Sequence, residues 1–380
     1  MMARGIAAAT SRALALGVAV ILALTGCGTA RPDSQAALPP PSMAVPLTTS
    51  LATGTARWAV VRVAASPSPF WEIVVQRPGQ RSWSLVTPPG VADNGGVVVT
   101  SPGAESLTAA FRPSEDLKFT PLAVTRDAGA SWSPGLLDGD LAAEPDAMAA
   151  AADGRLLALA PGGTVWLSAP GGIRWRTVAR ERPLKAMAGR ACGLVRLTAV
   201  AFTPAGEPLL AGACARDRVA IFADRRGAWR PVGPMLPAEL AGHQVEVLRM
   251  TAIGGRVLAL LVAGAAHAVS VTAAWTGDGG DHWGISPPLP LRAAHVQSVA
   301  LSASGAAGLV LTGGRAVVLD GPGTGWRWLP ALPAGTVVLA LGPAGEADAL
   351  ASRGARVTTW RLASGRGAWA RVQALRVPPP

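Results

Sequence analysis

Residues that could do chemistry are few in this chain. Asp138, Asp140, Glu144 and Asp146 share the stretch "DGDLAAEPDA", the densest acid patch among 23 acidic residues in 380. Two carboxylates about 5–10 Å apart are what a glycosidase needs, so this patch is where such a pair would be sought; the plainer reading is a solvated acidic loop. His243 and His295 follow Trp229 and Trp283 at similar offsets, which would set both on one face if those tryptophans mark equivalent places. No His-Glu-x-x-His, no Gly-Lys phosphate cradle and no serine elbow occurs. Cys192 and Cys214 are too few for a tetrahedral metal site. Neither a metal nor a cofactor is implied.

The elements that position these residues are announced by a repeat. "TRDAGASW" (Thr125, Asp127, Gly129, Trp132) and "TGDGGDHW" (Thr276, Asp278, Gly280, Trp283) follow one scheme, hydroxyl–x–Asp–x–Gly–x–x–Trp. Weaker copies end at Trp83, Trp175, Trp229, Trp326 and Trp369, which divides the chain into seven units of 43 to 54 residues. Such a period signals a repeat architecture. Within a unit, four short runs of β-branched and small apolar residues are separated by Gly, Ser, Pro or Asp, the pattern of an antiparallel meander. A sheet with two apolar faces cannot bury both alone, and stacking seven around an axis can. The expectation is an all-β fold, a seven-bladed β-propeller of four-stranded antiparallel blades over residues 57–377.

The two full copies resemble the Asp-box, or bacterial neuraminidase repeat, of sialidase-like propellers. That resemblance implies turns between the third and fourth strands of a blade, away from the central pocket. Asp127 and Asp278 then serve as turn acceptors, Gly129 and Gly280 supply positive φ, and Trp132 and Trp283 bury a ring against a neighbour. The resembled enzymes use a tyrosine nucleophile, and this chain contains no tyrosine. Their opening Arg-x-Pro motif is missing too: "FRPS", Phe111–Ser114, is misplaced. A sialidase is therefore not expected. Lipid-anchored propellers with decayed Asp-boxes also resemble the photosystem II assembly factor family, which works by binding.

The N-terminus supplies the anchor. Arg4 and Arg12 precede an apolar run, Ala13–Leu24, that reads as a secretory signal over residues 1–26. "LTGC", Leu24–Cys27, resembles the bacterial lipobox, which implies cleavage before Cys27 and lipidation of its thiol. Residues 27–56, rich in Pro, Ser, Thr and Ala, read as a flexible tether. Outside the cytoplasm, the remaining Cys192 and Cys214 are expected to pair as a disulfide. A net charge of +11 favours anionic surroundings, but the arginines are scattered, which argues against nucleic acid. The reading is a monomeric binding or assembly module, anchored in the bacterial cell membrane on its outer side through Cys27. Its partner would be an envelope protein or a glycan, met at an axial face near Asp138, Asp140, Glu144, Asp146, His243 and His295. The alternative is a carbohydrate-binding or glycosidase-like propeller.

Overall fold

The computed structural model describes residues 48–53, 55–64, 69–89, 91, 96–112, 120–136, 145–170, 174–215, 218–240, 243–265, 268–291, 295–342, 345–365 and 367–378. Cys27, Asp138, Asp140 and Glu144 lie outside them. Regular structure among the described residues is strand, apart from one short α-helix (Glu181–Ala186) and a few 3-10 turns.

The strands follow one another as antiparallel meanders, each begun by an inner strand. These inner strands are Thr48–Thr53, Val97–Gly103, Ala147–Ala150, Leu194–Phe202, Gln244–Ile253, Val296–Ser302 and Thr336–Leu341. Each pairs antiparallel with the strand after it, and the pairing continues outward. Four-stranded order is cleanest in the second, third and seventh meanders. Among the described residues the first strand is Thr48–Thr53, inside the stretch expected to be tether. The reason is non-local: Thr48–Thr53 pairs with Ala56–Ala64 on one side and, in parallel, with Val296–Ser302 of the sixth meander on the other.

Side-chain alternation explains how the sheets stack. Along Leu156–Ala160, Leu157 and Leu159 face the fourth meander, while Leu156, Ala158 and Ala160 face the second. A strand buried on both faces reads as a continuous apolar run for this reason. The clusters join meanders in order: first to second around Trp58 and Phe111, second to third around Val98 and Ala158, third to fourth around Leu159 and Phe202. Leu209 and Val257 link fourth to fifth, Leu260 and Leu309 fifth to sixth, and Val310 and Leu339 sixth to seventh. Val61, Trp83 and Leu350 then bring the seventh back to the first.

The repeated tryptophans stitch these seams. Trp229, Trp283, Trp326 and Trp369 each donate Nε1–H to a carbonyl of the preceding meander or its connector, namely Val178, Val232, Pro287 and Pro330. Trp132 and Trp175 pack against the same kind of seam. Trp83 differs. Its Nε1–H donates to Asp348 Oδ2 of the seventh meander at 2.9 Å.

Candidate functional site

The two Thr–Asp–Gly–Trp turns have one bonding scheme. Thr125 Oγ1 donates to Asp127 Oδ1 at 2.8 Å and accepts from Gly129 N–H at 2.9 Å. Thr276 does the same with Asp278 (2.7 Å) and Gly280 (3.0 Å). The carboxylate then accepts the N–H four residues on, from Ser131 or His282. Bonds led by the Ser131 hydroxyl pull the Asp127 carboxyl down to about 2. The His282 N–H and the Thr276 hydroxyl hold Asp278 well below the usual carboxylate range, and Asp278 in turn raises the His282 imidazole. Gly129 and Gly280 have positive φ, and each also lies hard against the preceding meander. A Cβ there would stand 2.7 Å from Val86 Cβ and 2.8 Å from Val232 Cβ, respectively. In both turns the Thr hydroxyl, the Asp carboxylate and the Gly N–H are spent on closing the turn, and the glycine packs on the neighbouring sheet.

Cys192 and Cys214 form a disulfide. Leu194–Phe202 pairs antiparallel with Pro208–Cys214, with Leu194 opposite Cys214, which brings the thiols together. The bond ties the segment after the helix to the hairpin's end.

Asp146 is exposed just before the third inner strand. His243 and His295 stand just before the fifth and sixth inner strands, and no hydrogen bond joins them among the described residues. All three precede inner strands at the connector end, and no hydrogen bond or ion pair joins them to one another among the described residues.

A cavity opens at the other end. It holds about 530 Å³ and is built from the turns that follow six of the inner strands. Its wall is Thr53, Ser101–Ala104, Ala150–Asp153 with Arg155, Phe202–Gly206, Ala252–Arg256 and Ala303. The rim is bonded from meander to meander. Thr53 Oγ1 donates to the Ala104 carbonyl, Arg155 Nη2 to the Gly206 carbonyl, and Ala303 N–H to the Ala52 carbonyl. Gly254 (φ +58°) is the tightest point, since a Cβ there would stand 1.9 Å from the Ala303 carbonyl oxygen. Asp153 is the one carboxylate in this wall, and Arg155 holds it at 2.7 Å while lying over the Phe202 ring. No tryptophan lines the cup. Sequence reasoning missed this site because most of its residues are Gly, Ala, Pro and Thr, and its few charged ones, Asp153, Arg155 and Arg256, are split between the third and fifth meanders.

Among the described residues, no group of His, Cys, Asp and Glu has an arrangement that could hold a metal ion. Among these same residues no helix is long and apolar enough to cross a membrane.

No protein family and no curated protein matches the chain. Similar solved structures include a putative 6-phosphogluconolactonase from Bacteroides uniformis, at 12% identity over 86% of this chain and 97% of that one (TM-score 0.52). Others are YCF48 from Cyanidioschyzon merolae (14% identity, 83% and 95% covered, TM-score 0.49) and the β-propeller domain of the Trilobed protease from Pyrococcus furiosus (10%, 86% and 96%, TM-score 0.46). At these identities the likeness is one of fold alone, and the described strands make that fold all-β.

Proposed function

We propose that the seven meanders are the blades of an Asp-box propeller, exported and lipid-anchored through Cys27, which acts as a non-enzymatic binding module for an envelope protein. One observation carries this reading. The cup is walled mostly by small residues and turn backbone, and the one carboxylate among its described residues, Asp153, is paired with Arg155. Such a wall suits an extended polypeptide, whose side chains enter an apolar hollow while its main chain meets turn backbone. A glycan site would instead be favoured by exposed aromatic platforms and free acids. The first described strand starts at Thr48, beside Ser298, at the connector end of the inner strands, and the cup is at the other.

A photo-crosslinking residue in place of exposed Ala152 or Ala205, in the full-length chain in its own cells, tests the reading. A light-dependent adduct to one protein is expected, together with no binding on a glycan array. Glycan binding abolished by bulky residues at Ala205 would overturn it in favour of the carbohydrate alternative. Cys27→Ser should release the chain from the membrane fraction.

A further inference from the structure

A second cavity, of about 410 Å³, opens where the first meander meets the seventh. Three guanidinium groups line it, Arg81, Arg361 and Arg371, and the rest of its wall is alanine and Val372. Among the described residues, no carboxylate lines it. Arg361 is already balanced from behind, with Nε and Nη2 on the two oxygens of Asp348 at 2.7 and 2.8 Å. Arg81 and Arg371 are exposed and have no ionic partner among the described residues.

The backbone that carries Arg81 and Arg371 is held by bonds from the residues beside them. Trp83 N–H donates to Gln373 Oε1 at 2.8 Å, and Gln373 Nε2 donates back to the Trp83 carbonyl at 3.0 Å. This fixes the turn carrying Arg81 against the outer strand Ala370–Arg376 that carries Arg371. Arg361 Nη2 also donates to the Arg81 carbonyl. Like charges converging on one hollow repel unless an anion sits between them, and the guanidinium fork matches a tetrahedral oxyanion. Two uncompensated positive charges call for about two negative ones, the charge of a phosphate monoester near neutral pH.

We infer that this cleft is a binding site for a phosphate-class oxyanion, bridging the first and last meanders. The group can belong to a soluble phosphate or to a lipid headgroup, and the chemistry of recognition is the same. Because the ligand touches both sides of the seam, binding should stabilise the fold by mass action.

The test uses the full chain carrying Cys27→Ser, with inorganic phosphate as the probe. Titration calorimetry and thermal melts are run against chloride at matched ionic strength. Phosphate should bind saturably and raise Tm where chloride does not. Arg81→Gln and Arg371→Gln should each weaken affinity about tenfold or more, with Tm in chloride unchanged. A chain with both Arg81→Lys and Arg371→Lys keeps the net charge but loses the fork. If that chain binds like wild type, or if phosphate and chloride act alike, the site is diffuse charge and the inference fails. Sedimentation with phosphatidylcholine vesicles, with and without phosphatidic acid, then assigns the source. Arginine-dependent recruitment by phosphatidic acid marks a headgroup site, and phosphate binding without recruitment marks a soluble ligand.

Discussion

Where the fifth meander packs on the fourth, Trp283 meets its neighbour through the Val232 carbonyl, at 2.6 Å. Where the first packs on the seventh, Trp83 meets a carboxylate that is wholly buried, and Arg361, Arg57 and Glu346 complete an ionic cluster around it. Arg57 also lies 5.9 Å from the Trp83 ring centroid. Consecutive meanders are delivered to each other by a short connector; the fourth–fifth seam adds the ion pairs Arg196–Glu246 and Arg225–Asp281, whose arginines are part-exposed, while its tryptophan meets only carbonyls. The seam between last and first joins residues 265 positions apart, with no connector to choose the partner. Charge and a guanidinium fork discriminate there, because a misplaced sheet would leave them unpaired.

The sharpest way to break this contrast is Asp348→Ala. It strips Arg361, Arg57 and Trp83 of a common acceptor inside the protein, and removing one partner of a buried pair costs about 3–5 kcal/mol. Trp283→Phe at the other seam removes one neutral N–H shared between the Val232 and Gly280 carbonyls, worth about 1 kcal/mol. Urea denaturation of both variants checks the ratio. Equal losses would mean that the two seams are built alike.

Next in size is the disulfide. Removing it as Cys192→Ala with Cys214→Ala should cost about 3 kcal/mol by loop entropy. That loss acts through the unfolded chain, so the folded variant should keep its near-ultraviolet circular dichroism while its melting temperature falls. Two free thiols in the wild-type chain on non-reducing mass spectrometry would contradict the bond itself.

The two full turns allow a finer comparison. Gly129→Ala should lose about 1–3 kcal/mol from the clash with Val86, and positive φ adds about 1 kcal/mol. Val86→Ala in the same chain should recover the steric part and leave the φ part. Gly280→Ala with Val232→Ala should behave the same way. A double-mutant cycle with no coupling at either seam would show that the glycines serve φ alone.

The smallest effect separates the turns by pH. The His282 pKa is raised by Asp278, so its contribution is complete below about 6.5, the unfolded value, and is lost as pH rises through the folded one. The Asp127 pKa is depressed to about 2, so its share persists above the unfolded carboxylate value and is lost only as pH falls through about 2. Both groups are exposed, and solvent screening keeps the effects small. His282→Ala should therefore lower Tm slightly at pH 5 and hardly at pH 9. Ser131→Ala should shift Tm equally at both.

What was legible in the sequence was local chemistry. Thr, Asp, Gly and Trp at fixed offsets specify a turn because every bond closing it spans at most four residues. Four apolar runs per unit specify a meander because hairpins pair neighbours in the chain, and Cys192 and Cys214 end up together for the same reason. Even the order of packing follows, since each unit has two apolar faces to cover. Tertiary structure alone decided the rest. Thr48–Thr53 looks like tether until Val296–Ser302 provides an edge to pair with. Nothing near Gly129 in sequence announces Val86, and nothing near Arg361 announces Arg57, Trp83 or Arg81. The cup and the arginine cleft are likewise assembled from turns contributed by distant meanders, each bland in its own context. Period and turn type are set by neighbouring residues, whereas a seam is set by whichever surface arrives opposite it.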